Sequence, residues 1–111
     1  MISLSASAIC EIVDGELYGD PKAIVSKAAV FDSRDAESGS LFLALVGDTQ
    51  DGHEFVDDAI ARGATLIFST KSVTGNHIVV KDVIEAISAL AKYVRSESSQ
   101  MKVIGITESQ G

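Results

Sequence analysis

Hydrophobic residues recur at two different spacings along the chain, and the spacing divides it into helices and strands. The clearest helix covers 82–95, where apolar positions recur at helical spacing and Asp82 precedes them as a capping residue. Shorter patterns of the same kind predict helices over 4–13 and 53–62, which Gly15 and Gly63 end. Short apolar runs between turn residues predict strands near 16–18, 24–31, 41–46, 65–69, 78–80 and 103–107.

The alternation of strands and helices predicts the fold class. Over this length it indicates an α/β fold in which a small mixed or parallel sheet is flanked by helices. The serine-rich stretch 96–100 predicts a linker, with a domain boundary near residue 98. Residues 1–98 then form one domain, and 99–111 hold a linker and the start of whatever domain follows.

Charge and composition exclude several classes of function. The net charge is −7 without a basic run, so we expect neither nucleic acid nor an anionic membrane as partner. The longest apolar run, 41–46, is far too short to cross a bilayer, and the N-terminus lacks the features of a signal peptide. Cys10 is the single cysteine, so no internal disulfide forms. These features predict a cytoplasmic location and no membrane insertion.

The segment Asp32-Ser33-Arg34 directly follows a predicted strand. A hydroxyl and a guanidinium at the carboxyl end of a strand suit a phosphate or a uracil-like base. The alternative interpretation is an ordinary turn built by Asp32, with a solvated arginine.

A second polar loop, 47–53, leads into the predicted helix 53–62 and contains Gly47, Asp51, Gly52 and His53. The unpaired N–H groups at a helix N-terminus suit a pyrophosphate, and His53 would donate a further hydrogen bond. The alternative is a loop that ends in a helix cap, which is the simpler role for Asp51. Neither loop has a nucleophile–base pair or the spacing of metal ligands, so we predict no catalytic residue and no metal site.

The last nine residues, 103–111, resemble the first part of a phosphate-binding loop, since a β-branched strand passes into a small polar stretch that ends in Gly111. Thr107, Ser109 and Gly111 would be the partial ATP-binding residues. The lysine and the Mg²⁺-holding hydroxyl of such a loop are absent from these residues. The alternative is an ordinary strand followed by a polar tail.

Taken in order, these segments carry a resemblance. The chain is similar over essentially its whole length to the N-terminal domain of the Mur ligases, the ATP-dependent amide ligases of peptidoglycan precursor synthesis. The segments that carry the similarity are G-E-L-Y-G-D at 15–20, F-D-S-R at 31–34, G-S-L-F-L-A-L at 39–45, D-G-H-E-F at 51–55, A-I-A-R-G-A at 59–64 and V-I-G-I-T at 103–107.

The resemblance implies that residues 1–98 bind the UDP end of UDP-N-acetylmuramoyl-tripeptide. Ser33 and Arg34 would lie at the uridine, and Gly47, Asp51, Gly52 and His53 would approach the uracil and the diphosphate. ATP and Mg²⁺ would belong to the full-length enzyme, and this fragment alone would bind neither and would be inactive. Glu108 departs from the family pattern, which has glycine there, and a carboxylate at that position would repel phosphates.

Within the family, G-E-L-Y-G-D favours the member that adds D-Ala-D-Ala. The alternatives are the member that adds the third amino acid, a free-standing α/β binding module without catalysis, and a fragment of an unrelated phosphate-loop ATPase. The oligomeric state stays open.

Overall fold

Residues 3–105 are described by the computed structural model, with side chains described for 3–96. The strands are β1 (Leu4–Ser5), β2 (Glu16–Tyr18), β3 (Ile24–Val25), β4 (Ala29–Val30), β5 (Leu41–Leu43), β6 (Leu66–Ser69) and β7 (His77–Val79). The helices are α1 (Ala6–Val13), α2 (Val56–Ala61) and α3 (Val83–Gly105), and single 3-10 turns cover Ser33–Asp35 and Gly52–Phe55. None of the helices described is long and apolar enough to cross a membrane.

Five strands form the main sheet, in the order β2-β7-β6-β5-β4. The four strands from β4 to β7 run parallel, and β2 pairs antiparallel with β7 at one edge. β1 and β3 make a separate antiparallel pair. The predicted α/β fold with a mixed sheet is therefore confirmed. The carboxyl ends of β4 to β7 share one edge of the sheet, which we call the carboxyl edge, and ligands of open α/β sheets bind at such edges.

Apolar residues cover both faces of the sheet, because successive strand residues point to opposite sides. One cluster joins Leu41, Leu43 and Phe68 to residues of α1 and α3, and the other joins Phe42 and Ile67 to residues of α2. Helices therefore lie on both faces, and all three residues of β5 are buried.

Side-chain caps begin two of the helices, and Asp82 is the one that the sequence predicts. The Ser5 hydroxyl accepts a hydrogen bond from the Ala8 N–H at 3.2 Å, and the Asp82 carboxylate accepts one from the Glu85 N–H at 3.1 Å. Each bond satisfies a backbone donor that has no partner inside its helix.

The predicted helix 4–13 and the predicted strand 24–31 differ from the structure in their bounds. The helix begins at Ala6 and not at Leu4, because Leu4 and Ser5 pair with β3 instead. The predicted strand 24–31 is divided into β3 and β4. Between them, the N–H groups of Ser26 and Lys27 both donate to the Gly39 carbonyl at 3.0 Å, which removes these two residues from the strand ladder.

The prediction at the end of the chain is wrong for the described residues. The linker at 96–100 and a strand starting at Val103 were expected, but α3 continues to Gly105. No proline or glycine occurs between 83 and 104, and serine interrupts a helix only weakly once the helix is established. The boundary near residue 98 stays a prediction. Thr107, Ser109 and Gly111 lie outside the described residues.

Candidate functional site

The loop after β4, the loop after β5 and helix α2 enclose a cleft at the carboxyl edge. Its volume is about 700 Å³, within the range of small-molecule sites. We call it the main cleft. Its lining residues are Phe31, Asp32, Ser33, Arg34, Gln50, Phe55, Asp58 and Arg62.

Arg34 is held in place by its neighbour Asp32. Its Nε and Nη2 donate to the two oxygens of the Asp32 carboxylate at 3.1 and 2.7 Å, and the same carboxylate caps the 3-10 turn through the Arg34 N–H at 3.0 Å. These bonds lower the pKa of Asp32 from 3.8 to about 2. Three of the five guanidinium N–H donors keep no partner in this pair. The pair therefore orients the arginine and leaves donors for a ligand.

A second ion pair, between Asp58 and Arg62, also lines the main cleft. The Ser33 hydroxyl donates to Asp58 Oδ2 at 2.7 Å, and Arg62 Nε donates to the same oxygen at 3.0 Å. The bond from Ser33 first, and then that from Arg62, lower the pKa of Asp58. Ser33 is buried, whereas Arg62 is about half exposed. The turn after β4 is thereby fixed to α2.

Two phenylalanines expose aromatic surface in the main cleft. Phe31 is 72% exposed and Phe55 is 37% exposed, so part of each ring is accessible to a ligand. Together with two arginines and the Gln50 amide, they offer flat apolar faces beside hydrogen-bond donors. This combination suits a planar heterocycle attached to an anionic group.

The loop after β5 is built as a tight hairpin. Val46 and Asp51 form an antiparallel bridge, and the Gly47 N–H donates to the Gln50 carbonyl at 2.8 Å. Asp51 then accepts from the His53 N–H at 2.9 Å, and this bond, followed by the one from the imidazole, lowers the pKa of Asp51. The capping role considered for Asp51 is the one observed.

His53 differs from the expectation of a free hydrogen-bond donor. Its Nδ1 lies 2.6 Å from Asp51 Oδ1, and its Nε2 accepts the Thr70 N–H at 3.1 Å. Because Nε2 accepts, Nδ1 carries the proton and donates to Asp51. The side chain is only 4% exposed. Both ring nitrogens therefore have partners within the chain, and His53 joins the loop after β5 to the end of β6.

The helix after the loop also differs from its prediction. Gly52–Phe55 forms a 3-10 turn and the α-helix covers only Val56–Ala61, so the expected helix N-terminus at His53 is occupied by the Asp51 cap. Gly52 lies directly on Leu45, and its N–H donates to the Leu45 carbonyl at 2.6 Å. A Cβ at Gly52 would approach the Leu45 nitrogen to 2.6 Å, which requires glycine there.

The predicted site residues share the carboxyl edge but not one cleft. Ser33 and Arg34 lie in the main cleft. Gly47 lines a second hollow of about 460 Å³ that also includes Lys81. Asp51 and His53 border a third hollow of about 340 Å³.

Sequence reasoning missed five residues of the main cleft. Phe31 and Phe55 adjoin the D-S-R and D-G-H motifs, and Asp58 and Arg62 have the helical i, i+4 spacing of an ion pair. The fifth is Gln50. Within the described part of the chain, no three His, Cys, Asp or Glu side chains are grouped to hold a metal ion.

Comparison with protein families defines the class of this chain. The family model described as "Mur ligase family, catalytic domain" matches residues 28–106. The chain therefore belongs to the Mur ligase family.

The curated relatives are ligases of two kinds. The chain is 34% identical over 114 residues to UDP-N-acetylmuramoyl-tripeptide–D-alanyl-D-alanine ligase of Haemophilus influenzae, a match that covers 100% of this chain and 24% of that protein. It is 40% identical over 93 residues to UDP-N-acetylmuramoyl-L-alanyl-D-glutamate–2,6-diaminopimelate ligase of Cytophaga hutchinsonii, covering 76% of this chain and 19% of that protein. The chain spans about a quarter or less of the length of these relatives.

Solved structures show the same fold. A crystal structure of MurF from Acinetobacter baumannii superposes with a TM-score of 0.79 at 29% identity, over 90% of this chain and 23% of that one. MurF ligase from Thermotoga maritima, in complex with ADP, gives a TM-score of 0.58 at 25% identity, over 62% of this chain and 17% of that one.

Proposed function

We propose that this chain is the substrate-binding domain of an ATP-dependent ligase that adds D-Ala-D-Ala to UDP-N-acetylmuramoyl-tripeptide. The observation that carries the proposal is the main cleft, in which exposed aromatic faces and two oriented guanidinium groups meet at the carboxyl edge of a parallel sheet. The D-alanyl-D-alanine ligases among the relatives support the choice of reaction.

Different residues of the main cleft would contact the base and the phosphates of the ligand. Phe31 and Phe55 would pack on the uracil ring, and the free N–H groups of Arg34 and Arg62 would meet uracil carbonyl or phosphate oxygens. The net charge of the chain is −7, so local cations must attract a diphosphate against the overall field. Lys71, 3.7 Å from Asp51, and Lys81 in the second hollow add positive charge along the same edge.

The predicted residues of the loop after β5 would determine the shape of the site. Gly47, Asp51, Gly52 and His53 set the course of the hairpin that carries Gln50 into the main cleft. In this assignment they support the binding of uracil and diphosphate from behind, and the side chains of Asp51 and His53 bond to each other and not to the ligand.

ATP and Mg²⁺ would act in the rest of the parent enzyme. There, ATP would convert the peptide carboxylate of the substrate into an acyl phosphate, which the amine of D-Ala-D-Ala attacks. Thr107, Ser109 and Gly111 would contribute the first part of the ATP-binding loop, with 99–111 leading into that domain. Without the lysine of the loop, this chain alone would have no ligase activity. A cytoplasmic location belongs to the same proposal.

A titration of the ¹⁵N-labelled chain with UDP, UDP-N-acetylmuramoyl-tripeptide and ATP tests the proposal. We expect the two UDP compounds to shift the amide resonances of 31–34 and 47–53, and ATP to shift them much less. Arg34→Ala should weaken UDP binding, whereas Lys92→Ala, which removes an exposed cation on α3, should not. No shift with millimolar UDP would contradict the proposal and favour a free-standing α/β module.

The second candidate is the ligase that adds the third amino acid. It is favoured by the 40% identity to a 2,6-diaminopimelate ligase. Assays of the parent enzyme separate the two, because one reaction joins D-Ala-D-Ala to the UDP-tripeptide and the other joins 2,6-diaminopimelate to the UDP-dipeptide. Product from the second pair alone would replace the first proposal and leave the UDP-binding role unchanged.

A further inference from the structure

The hydroxyl of Ser33 has a fixed hydrogen-bond direction. Its partner at 2.7 Å, Asp58 Oδ2, also receives the Arg62 Nε–H at 3.0 Å. An ionised carboxylate only accepts, and the two bonds that lower the pKa of Asp58 keep it ionised at neutral pH. Ser33 must therefore donate its single hydroxyl hydrogen to Asp58. The Ser33 oxygen can therefore only accept a hydrogen bond from a ligand.

We infer that Asp58 makes the main cleft select uracil over cytosine, by holding Ser33 as a hydrogen-bond acceptor. The inference rests on the proposed function and adds a determinant of its specificity. Asp58 itself acts through Ser33, so it is a positioning residue. Both side chains line the cleft. Asp58 fixes the direction of the Ser33 hydroxyl bond, whereas an ionised carboxylate accepts whatever Ser33 does.

The two pyrimidines differ at the atoms that such a site reads. Uracil has an N3–H donor between two carbonyl acceptors. Cytosine has an N3 acceptor beside an amino donor. An acceptor at Ser33 pairs with the uracil N3–H, and the guanidinium donors of Arg34 and Arg62 suit the flanking carbonyls. Cytosine would place its N3 lone pair against the Ser33 lone pairs and its amino group against a guanidinium, which leaves polar groups unpaired.

The geometry also supplies a matched control one residue away. Asp57 lies on the same helix with the same charge, but its carboxylate accepts from the Thr74 hydroxyl at 2.6 Å, outside the main cleft. Removing Asp57 changes the net charge as much as removing Asp58, and leaves Ser33 in place. A difference between the two variants therefore reports the contacts of Asp58 with Ser33 and Arg62 and not the charge, and the Ser33 variant below separates the two contacts.

The test compares UDP and CDP as ligands of the chain by NMR titration. For the unmodified chain we expect UDP to bind roughly tenfold more tightly than CDP, which is the cost of one unpaired buried group. In Asp58→Ala the Ser33 hydroxyl turns freely and donates or accepts, so the ratio should fall severalfold, and the preference that remains comes from the guanidinium donors. Asp57→Ala should keep the original ratio.

Two further variants separate positioning from simple loss of structure. Asp58→Asn should retain the preference, because its amide oxygen accepts from both Ser33 and Arg62 and so keeps the same direction. Ser33→Ala should lower the preference as Asp58→Ala does, while the fold, monitored by the amide spectrum, is kept.

The outcomes distinguish this inference from the function on which it rests. An unchanged UDP-to-CDP ratio in Asp58→Ala, or equal affinity for both ligands in the unmodified chain, overturns the role of Asp58 and leaves UDP binding intact. A chain that binds neither ligand overturns the proposed function itself.

Discussion

The imidazole of His53 accepts a hydrogen bond from the backbone N–H of Thr70 at 3.1 Å and thereby joins the loop after β5 to the end of β6. Its other nitrogen lies 2.6 Å from Asp51 Oδ1. One buried ring therefore contacts both the start of its own 3-10 turn and the residue that follows β6. Asp51 and His53 of the D-G-H motif thus hold the loop after β5 against the end of β6.

Replacing His53 by alanine should lower the free energy of unfolding by about 1–3 kcal/mol, because Thr70 and Asp51 lose a buried partner. Chemical denaturation measures the effect. The neighbouring variant Glu54→Ala, which changes an exposed side chain, should stay within about 0.5 kcal/mol of the unmodified protein. Equal effects of the two would show that the ring does not hold the loops.

Gly52→Ala should destabilise the protein by about 1–3 kcal/mol, since the new Cβ must displace backbone atoms of Leu45. Gly47→Ala serves as its partner variant. There the nearest atom to the added Cβ is the Gln50 oxygen at 3.6 Å, an ordinary contact, so its stability should change little. Thermal unfolding of both variants checks the contrast, and a reversal would mean that the hairpin is packed differently.

Leu90→Ala should cost about 2–5 kcal/mol, because Leu90 is 7% exposed in the cluster between α3 and the sheet. Ile84→Ala on the same helix is the control, since Ile84 is 56% exposed. If both variants shifted the denaturation midpoint equally, the face of α3 that packs on the sheet would be wrongly assigned.

The Asp32 carboxyl should titrate with a pKa of about 2, well below its ordinary 3.8. The lowered pKa means that its ion pair stabilises the fold above pH 3.8 and that this contribution disappears as the pH falls toward 2. Carbon NMR of the labelled carboxyl follows the titration. Arg34→Ala should raise the pKa of Asp32 toward 3.8, and Arg62→Ala should raise it much less. An unshifted pKa in Arg34→Ala would exclude the ion pair in solution.

Sequence reasoning recovers the elements that their own residues determine. β2 was predicted with its observed bounds, and Asp82 was predicted as the cap of α3, because these depend on neighbours in the chain. The bounds near Leu4 were wrong because pairing with β3, some twenty residues away, overrides the local helical spacing. The predicted end of α3 is wrong because serine alone, without glycine or proline, does not end a helix that is already established.

In the candidate site, too, features that depend on neighbouring residues were predictable and contacts between distant residues were not. The D-S-R and D-G-H motifs located the carboxyl edge correctly. Their side-chain partners could not be predicted, since Ser33 and Asp58 are separated by 25 positions and meet only when the turn after β4 packs on α2. For the same reason the burial of the His53 ring, which depends on Thr70, is invisible in the local pattern.

A crystal structure of this chain with UDP-N-acetylmuramoyl-tripeptide bound tests the central claim most directly. We predict the uracil in the main cleft, in contact with Phe31 or Phe55 and within hydrogen-bond distance of Ser33, with the phosphates directed along the carboxyl edge. Uridine bound on another surface, such as the apolar groove of about 410 Å³ lined by Ile9, Leu41 and Leu90, would contradict the assignment of the site.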